Sequence, residues 1–245
     1  HVIEGGVMAV FALGTTGEFS SLSFSMKKEV ILKTCAFVNK RIQTLIGISS
    51  CDLQESLALA AFAFENNADA LVACPPFYFN MNQEEVIVYY EELADKVKLP
   101  LYLYNMPGLT KNRIEPETAQ ILSEHPNIIG LKDSSGDLDY FAELCQFFSG
   151  NDFDLFVGPE ELLADSLKFG AHGGVNGGSN LYPRWYVELF DAFNESDLEK
   201  VKLLQAKIRK LSTNVYQVSK SPNSYLQGLK TAMSAHGLCS SLLAS

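Results

Sequence analysis

Seven short β-rich runs set the strongest constraint on this chain: Val7 to Leu13, Thr44 to Ile48, Ala70 to Cys74, Leu101 to Tyr104, Ile128 to Lys132, Phe153 to Val157, and Gly173 to Asn176. Their starts are 20 to 37 residues apart, and helix-like segments fill the gaps, which is the rhythm of βα units around a parallel sheet. After the seventh run the pattern turns to helices alone: Pro183 to Asn194, Ser196 to about Tyr216, and Asn223 to His236. With 245 residues the chain has the size of one (β/α)₈ barrel. The pattern predicts an α/β TIM barrel over 1–182, and a final barrel helix plus helical extension over 183–245. A doubly wound open sheet is the alternative topology. His1 to Gly6 reads as a helix end running into a strand without an initiator Met, so a first strand and most of a first helix are expected to be missing ahead of it.

Local signals support the helices. Asp52 with Glu55 and Ser196 with Glu199 read as capping boxes. Apolar faces are expected at Leu22, Met26, Val30, Cys35 and Val38; at Leu53, Leu57, Ala60, Ala61 and Phe64; and at Ile87, Tyr90, Ala94 and Val97. Pro116 and Pro159 sit where a first helical turn tolerates proline.

Composition excludes several classes of function. The formal charge of -10 opposes binding to a phosphate backbone or an anionic membrane. The longest apolar stretch, Leu57 to Phe64, is far short of the roughly 18 residues that span a bilayer. No basic and apolar leader opens the chain. Five scattered cysteines without a Cys-x-x-Cys pair argue against a disulfide scaffold or zinc knuckle, so a reducing, cytoplasmic setting is expected. His1, His125, His172 and His236 have no partner motif and read as ordinary surface or core residues.

Three strand ends carry chemistry. Gly14-Thr15-Thr16-Gly17-Glu18 could offer amides and two hydroxyls to a small anion, a substrate carboxylate above all, or could be a βα turn whose threonines satisfy local backbone. Tyr104, in Tyr104-Asn105-Met106-Pro107, could shuttle protons at a barrel mouth or be a core aromatic. Lys132 ends the apolar run Ile128 to Leu131, where an ammonium is expensive; a neutral amine there attacks a ketone to form an imine. A salt bridge, with Asp133 or a remote acid, is the plainer explanation for an isolated lysine. Joint placement favours chemistry, because strand C-termini of a barrel face one mouth.

Taken together, GTTGE at Gly14, PPFY ending at Tyr78, YNMP at Tyr104, GLKDSSGD around Lys132 and GGVNGGSN from Gly173 resemble the dihydrodipicolinate synthase/N-acetylneuraminate lyase family of class I aldolases. The resemblance runs from about Glu4 to Cys239. It implies a cofactor-free, metal-free barrel enzyme, usually a homotetramer, that joins or splits pyruvate and an aldehyde. By the same resemblance Lys132 is the Schiff-base lysine and Tyr104 the proton shuttle. Thr15 and Thr16 carry the relay and carboxylate-binding hydroxyls beside Gly14. Tyr78 matches an aromatic lent to a neighbouring subunit's site, and Val175 a position whose carbonyl lines the pyruvate pocket.

One departure bears on substrate. Synthases of the family carry an arginine two residues after the proline of YN-x-P, where it receives a second carboxylate; here Leu109 stands. Glu160 and Glu161 match an acidic pair that contacts sugar hydroxyls in the lyases, or they are helix N-terminal charges. Gly177 stands where the lyases tend to have a substrate-contacting serine. The expectation is therefore a lyase for a hydroxylated 2-keto-3-deoxy or sialic-type sugar acid. The alternatives are 4-hydroxy-tetrahydrodipicolinate synthase and, from another class, a non-catalytic carboxylate-binding barrel.

Overall fold

The computed structural model describes residues 1–221 and 223–243; residues 244 and 245, at the end of the expected helical extension, lie outside the described residues. Seven strands form one sheet in sequence order: β1 (Ala9–Ala12), β2 (Gln43–Gly47), β3 (Ala70–Ala73), β4 (Leu101–Asn105), β5 (Ile128–Asp133), β6 (Asp154–Val157) and β7 (Gly173–Gly174). Every adjacent pair is parallel. Helices α1 (Phe24–Val38), α2 (Leu53–Glu65) and α3 (Gln83–Lys96) follow the first three strands. Next come α4 (Pro107–Thr110), α5 (Pro116–Ser123), α6 (Leu138–Phe147) and α7 (Leu163–Phe169). The chain ends in α8 (Pro183–Asn194), α9 (Leu198–Leu211), a π-helical turn Ser212–Tyr216, and α10 (Ser224–Ala235).

Alternation along the strands builds two cores, as a pleat demands. Leu71, Leu101, Leu103, Leu131 and Leu155 point outward into the layer beneath the helices. Val72, Cys74, Tyr102 and Tyr104 point inward and pack with Phe11, Leu45, Ile129 and Phe156. The inner cluster draws on strands β1 to β6, so the sheet is curled around it. Gly130 makes room for this filling: a side chain there would run into the Tyr102 ring, whose hydroxyl donates to Asp154 Oδ2 at 2.6 Å. The open doubly wound alternative is set aside by this curl.

Several local expectations are corrected. Asp52 does cap α2, but through the Gln54 amide; Glu55 turns away to Lys27 Nζ at 2.7 Å and to the Ser50 hydroxyl at 3.0 Å, so no capping box closes. Ser196 has a left-handed backbone, and the cap of α9 passes to Asp197, which accepts from the Lys200 amide. Asn82 and Glu85 form the reciprocal box instead, at the start of α3.

On α1 the buried residues are Lys27, Ile31 and Val38, while Met26 is exposed. Leu22, Val30, Cys35 and Val38 pack against the core as expected, and Lys27 joins that face in place of Met26, its aliphatic stem packing inward while its ammonium meets Glu55. On α2 Ala61 and Phe64 face solvent and Ser56, Leu59, Ala60 and Ala63 face the core. Pro116 opens α5 as expected, whereas Pro159 precedes a single 3₁₀ turn, Glu160–Leu162. His1–Gly6 forms hydrogen-bonded turns, the Gly5 amide donating to His1 O across one helical turn and Gly6 turning left-handed before the strand, in keeping with the expected helix end.

Candidate active site

A cavity of about 360 Å³ opens at the C-terminal ends of the strands. Its wall includes Thr15 and Thr16 after β1, Tyr104 on β4, Lys132 on β5, Glu160 and Glu161 after β6, and Val175 after β7. The first and last strands therefore deliver their loops to one chamber, and a Cβ placed on Gly177 would lie 3.3 Å from Thr16 Oγ1.

Tyr104 and Lys132 are direct register partners across β4 and β5. Both side chains are buried, and Lys132 Nζ lies 4.2 Å from the centre of the Tyr104 ring and 5.1 Å from that of Phe11. Asp133, next in sequence, does not pair with it. That carboxylate faces the other side of β5, where it accepts from Asn105 Nδ2 at 2.8 Å and from the Ser135 amide and hydroxyl. Burial holds Asp133 above the usual carboxylate range, opposed by those donors and by the charge of Arg113. Lys132 enters no salt bridge among the described residues.

The loop after β1 starts with a reversal of the backbone at Leu13, which has φ 60°. That turn crosses Gly47 so closely that any side chain at 47 would overlap the Leu13 carbonyl. Beyond it the Glu18 amide donates to Thr15 O at 3.0 Å, closing the Gly14 to Glu18 loop. Thr15 Oγ1 lies 3.0 Å from the Tyr104 hydroxyl, and Thr16 Oγ1 2.9 Å from the Tyr225 hydroxyl. Thr15 is thus hydrogen-bonded to the Tyr104 hydroxyl while Lys132 lies against the face of the same ring, all three beside the cavity.

The acidic pair divides. Glu160 is buried, and its two oxygens accept from the hydroxyls of Tyr186 (2.7 Å) and Tyr216 (2.6 Å) and from the Gly178 amide (2.8 Å). Burial raises its pKa, and these three donors resist the rise. Glu161 is half-buried, and its carboxylate accepts from the Ser212 hydroxyl. Leu109, on the short α4, lines the cavity and is 59% exposed. Tyr78 lies outside the cavity, 75% exposed and edge-to-face with Phe79. Its loop is tethered by Asn112, whose side chain donates to Pro76 O and Phe79 O and accepts from the Met81 amide.

Met106, Ser134, Gly158 and Pro159 also line the cavity, from motifs already noted, but Tyr216, Asn223, Tyr225 and Leu226, from the C-terminal segment, escaped the reading of the sequence altogether. The one signal was indirect, a glycine at 177 where a polar side chain was awaited. No described helix is long and apolar enough to cross a membrane.

Residues 1–244 match the model of the dihydrodipicolinate synthetase family. A 4-hydroxy-tetrahydrodipicolinate synthase from Thermodesulfovibrio yellowstonii is 33% identical over 87% of this chain and 73% of its own length. Dihydrodipicolinate synthase from Bacteroides thetaiotaomicron superposes with TM-score 0.96 at 45% identity, covering 100% of this chain and 83% of that one. A prophage protein of the same family from E. coli K12, solved in complex with pyruvate, gives TM-score 0.93 at 27% identity over 99% and 82% of the two chains. The chain belongs to the dihydrodipicolinate synthetase family and has its TIM-barrel fold. It is accordingly an enzyme of the class I aldolase/lyase type.

Proposed function

We propose that the cavity binds pyruvate as an imine on Lys132. The supporting observation is the joint position of the Lys132 amine over the Tyr104 ring and of the Tyr104 hydroxyl against Thr15. The amine attacks the keto carbon, Tyr104 and Thr15 pass protons to the departing hydroxyl, and water leaves an iminium. Loss of a methyl proton gives an enamine whose carbon attacks an aldehyde; the reverse sequence cleaves a 2-oxo acid. Thr16, the Gly14 loop and the Val175 carbonyl hold the carboxylate end.

For the aldehyde, the names of the curated relative and of the 45% identical structure favour aspartate semialdehyde, the acceptor of a 4-hydroxy-tetrahydrodipicolinate synthase, over the sugar acid expected from the sequence. A second reading, a hydroxylated sugar-acid aldehyde, keeps one specific support. Leu109 lines the cavity where a synthase would carry arginine, and no arginine lines it among the described residues. We further propose a homotetramer of reducing compartments, supported by exposed Tyr78 and Phe79 and by five free cysteines.

Borohydride reduction in the presence of pyruvate tests the imine. A reduced adduct mapped to Lys132 by mass spectrometry is expected, and its absence under conditions that label a known aldolase overturns the proposal. Pyruvate consumption with aspartate semialdehyde, set against pyruvate release from a panel of sugar acids, decides the aldehyde. If Leu109→Arg raises semialdehyde turnover from a low base, the second reading stands for the native chain.

A further inference from the structure

Helix α10 is bound to the loop after β1 at two points. Tyr225, in its first turn, meets Thr16 Oγ1 at 2.9 Å, and Lys230 reaches Glu18 Oε1 at 2.5 Å. On the opposite wall Gly177 is bare, and a Cβ there would overlap the Tyr225 oxygen. The phenol therefore occupies the space that a side chain at 177 would fill, inside a cavity that also contains Lys132. Tyr225 is fixed from behind by the edge of Tyr216, 4.7 Å away and inclined at 78°, and Tyr216 in turn donates to Glu160.

The direction of the Tyr225–Thr16 bond follows from acidity. At 2.9 Å either hydroxyl can donate; the phenol is the more acidic of the two and so the stronger donor, and the threonine oxygen is the better acceptor. A threonine hydroxyl that accepts from the phenol keeps its own hydrogen for another acceptor.

We propose that Tyr225 is a positioning residue for the substrate carboxylate: seated over Gly177, it donates to Thr16 Oγ1 and thereby turns the Thr16 hydrogen toward the carboxylate of a 2-oxo acid bonded to Lys132. The C-terminal helix is on this account part of the pyruvate site. The proposal rests on the imine reading above, and its test separates the two.

The test measures borohydride-trapped adduct on Lys132 against pyruvate concentration, using the full chain. Tyr225→Phe conserves shape and is expected to raise the half-saturating pyruvate concentration about 3- to 10-fold, the weight of one hydrogen bond, with the same maximal labelling. Gly177→Ala pushes the phenol aside and shifts saturation in the same direction. Thr16→Val reproduces the shift, Thr16→Ser does not, and Tyr225→Phe adds nothing further on a Thr16→Val background. An unchanged half-saturation in Tyr225→Phe, or a full additional shift on Thr16→Val, overturns the proposal. Should Tyr225→Phe fail to fold, the Thr16→Ser and Thr16→Val pair still decides, because equal behaviour of the two removes the hydroxyl from binding. Wild-type protein that never labels overturns the imine itself instead.

Discussion

The two halves of the cavity are held by different forces. Tyr104 and Lys132 sit on paired strands, and the next rung, Asn105 with Asp133, is locked by a buried side-chain bond; Asn105 Oδ1 also accepts from the Ile114 amide at 3.0 Å. Tyr216 and Tyr225 arrive after the last strand, on a π turn and on α10, and reach the barrel through hydroxyl contacts with Glu160 and Thr16. A backbone ladder fixes Tyr104 and Lys132 relative to one another, which suits the proximity that the proposed imine chemistry needs. Side-chain contacts hold the opposite wall, which can change residue by residue without disturbing the strands.

The largest contrast should come from substitutions at the two residues proposed to react. Lys132→Met is expected to abolish both adduct and turnover, and Tyr104→Phe to lower kcat by about 10²- to 10⁴-fold, measured by steady-state pyruvate assays. Activity retained in Lys132→Met would transfer the chemistry to another group. Breaking the rung next to them should appear as stability. Asn105→Ala strands the buried Ile114 amide and takes one donor from Asp133, at a cost of about 2 to 4 kcal/mol in urea unfolding.

On the helical side, Glu160→Gln sharpens the comparison through pH. The folded-state pKa of Glu160 is raised, so its ionised form costs stability. That cost is absent below the unfolded value of 4.5 and appears as pH rises through the folded value. The urea midpoint of Glu160→Gln should therefore gain on the wild type as pH increases from about 4; a difference that stays flat would mean the three donors cancel the burial. The smallest effect is chemical. Cys51 and Cys239 are exposed and should alkylate first, whereas the buried Cys74 thiol on the barrel interior, pushed up to about 11, should resist until unfolding.

The same division explains what could be read in advance. Strand period and the rule that parallel strand ends share a mouth were enough to bring Thr15, Tyr104 and Lys132 together, because each belongs to a short local motif at a strand end, whereas Val175 was reached only through the family resemblance. Most of the expected faces of α1 and α2 do pack on the core, but Lys27 was passed over on α1 because it counts as polar in a pattern although its stem is buried beside Glu55. Tyr216 and Tyr225 were invisible for a different reason: their neighbours, Glu160 and Thr16, are 56 and 209 positions away along the chain, and no periodicity reports such distances. Glu160 was recognised as a member of the site but not as the anchor of two phenols.

The crossing of Leu13 over Gly47 has a consequence for how such a chain can vary. With the carbonyl pressed against the α-carbon below it, position 47 admits no side chain while the turn keeps its course, and no single exchange can release both partners. A random library selected for pyruvate labelling should return glycine at 47 almost without exception, and any survivor should carry a second change in the turn. The loop after β1 is thus tied to position 47 as a two-position unit, open to loss in one step but to redesign only in two.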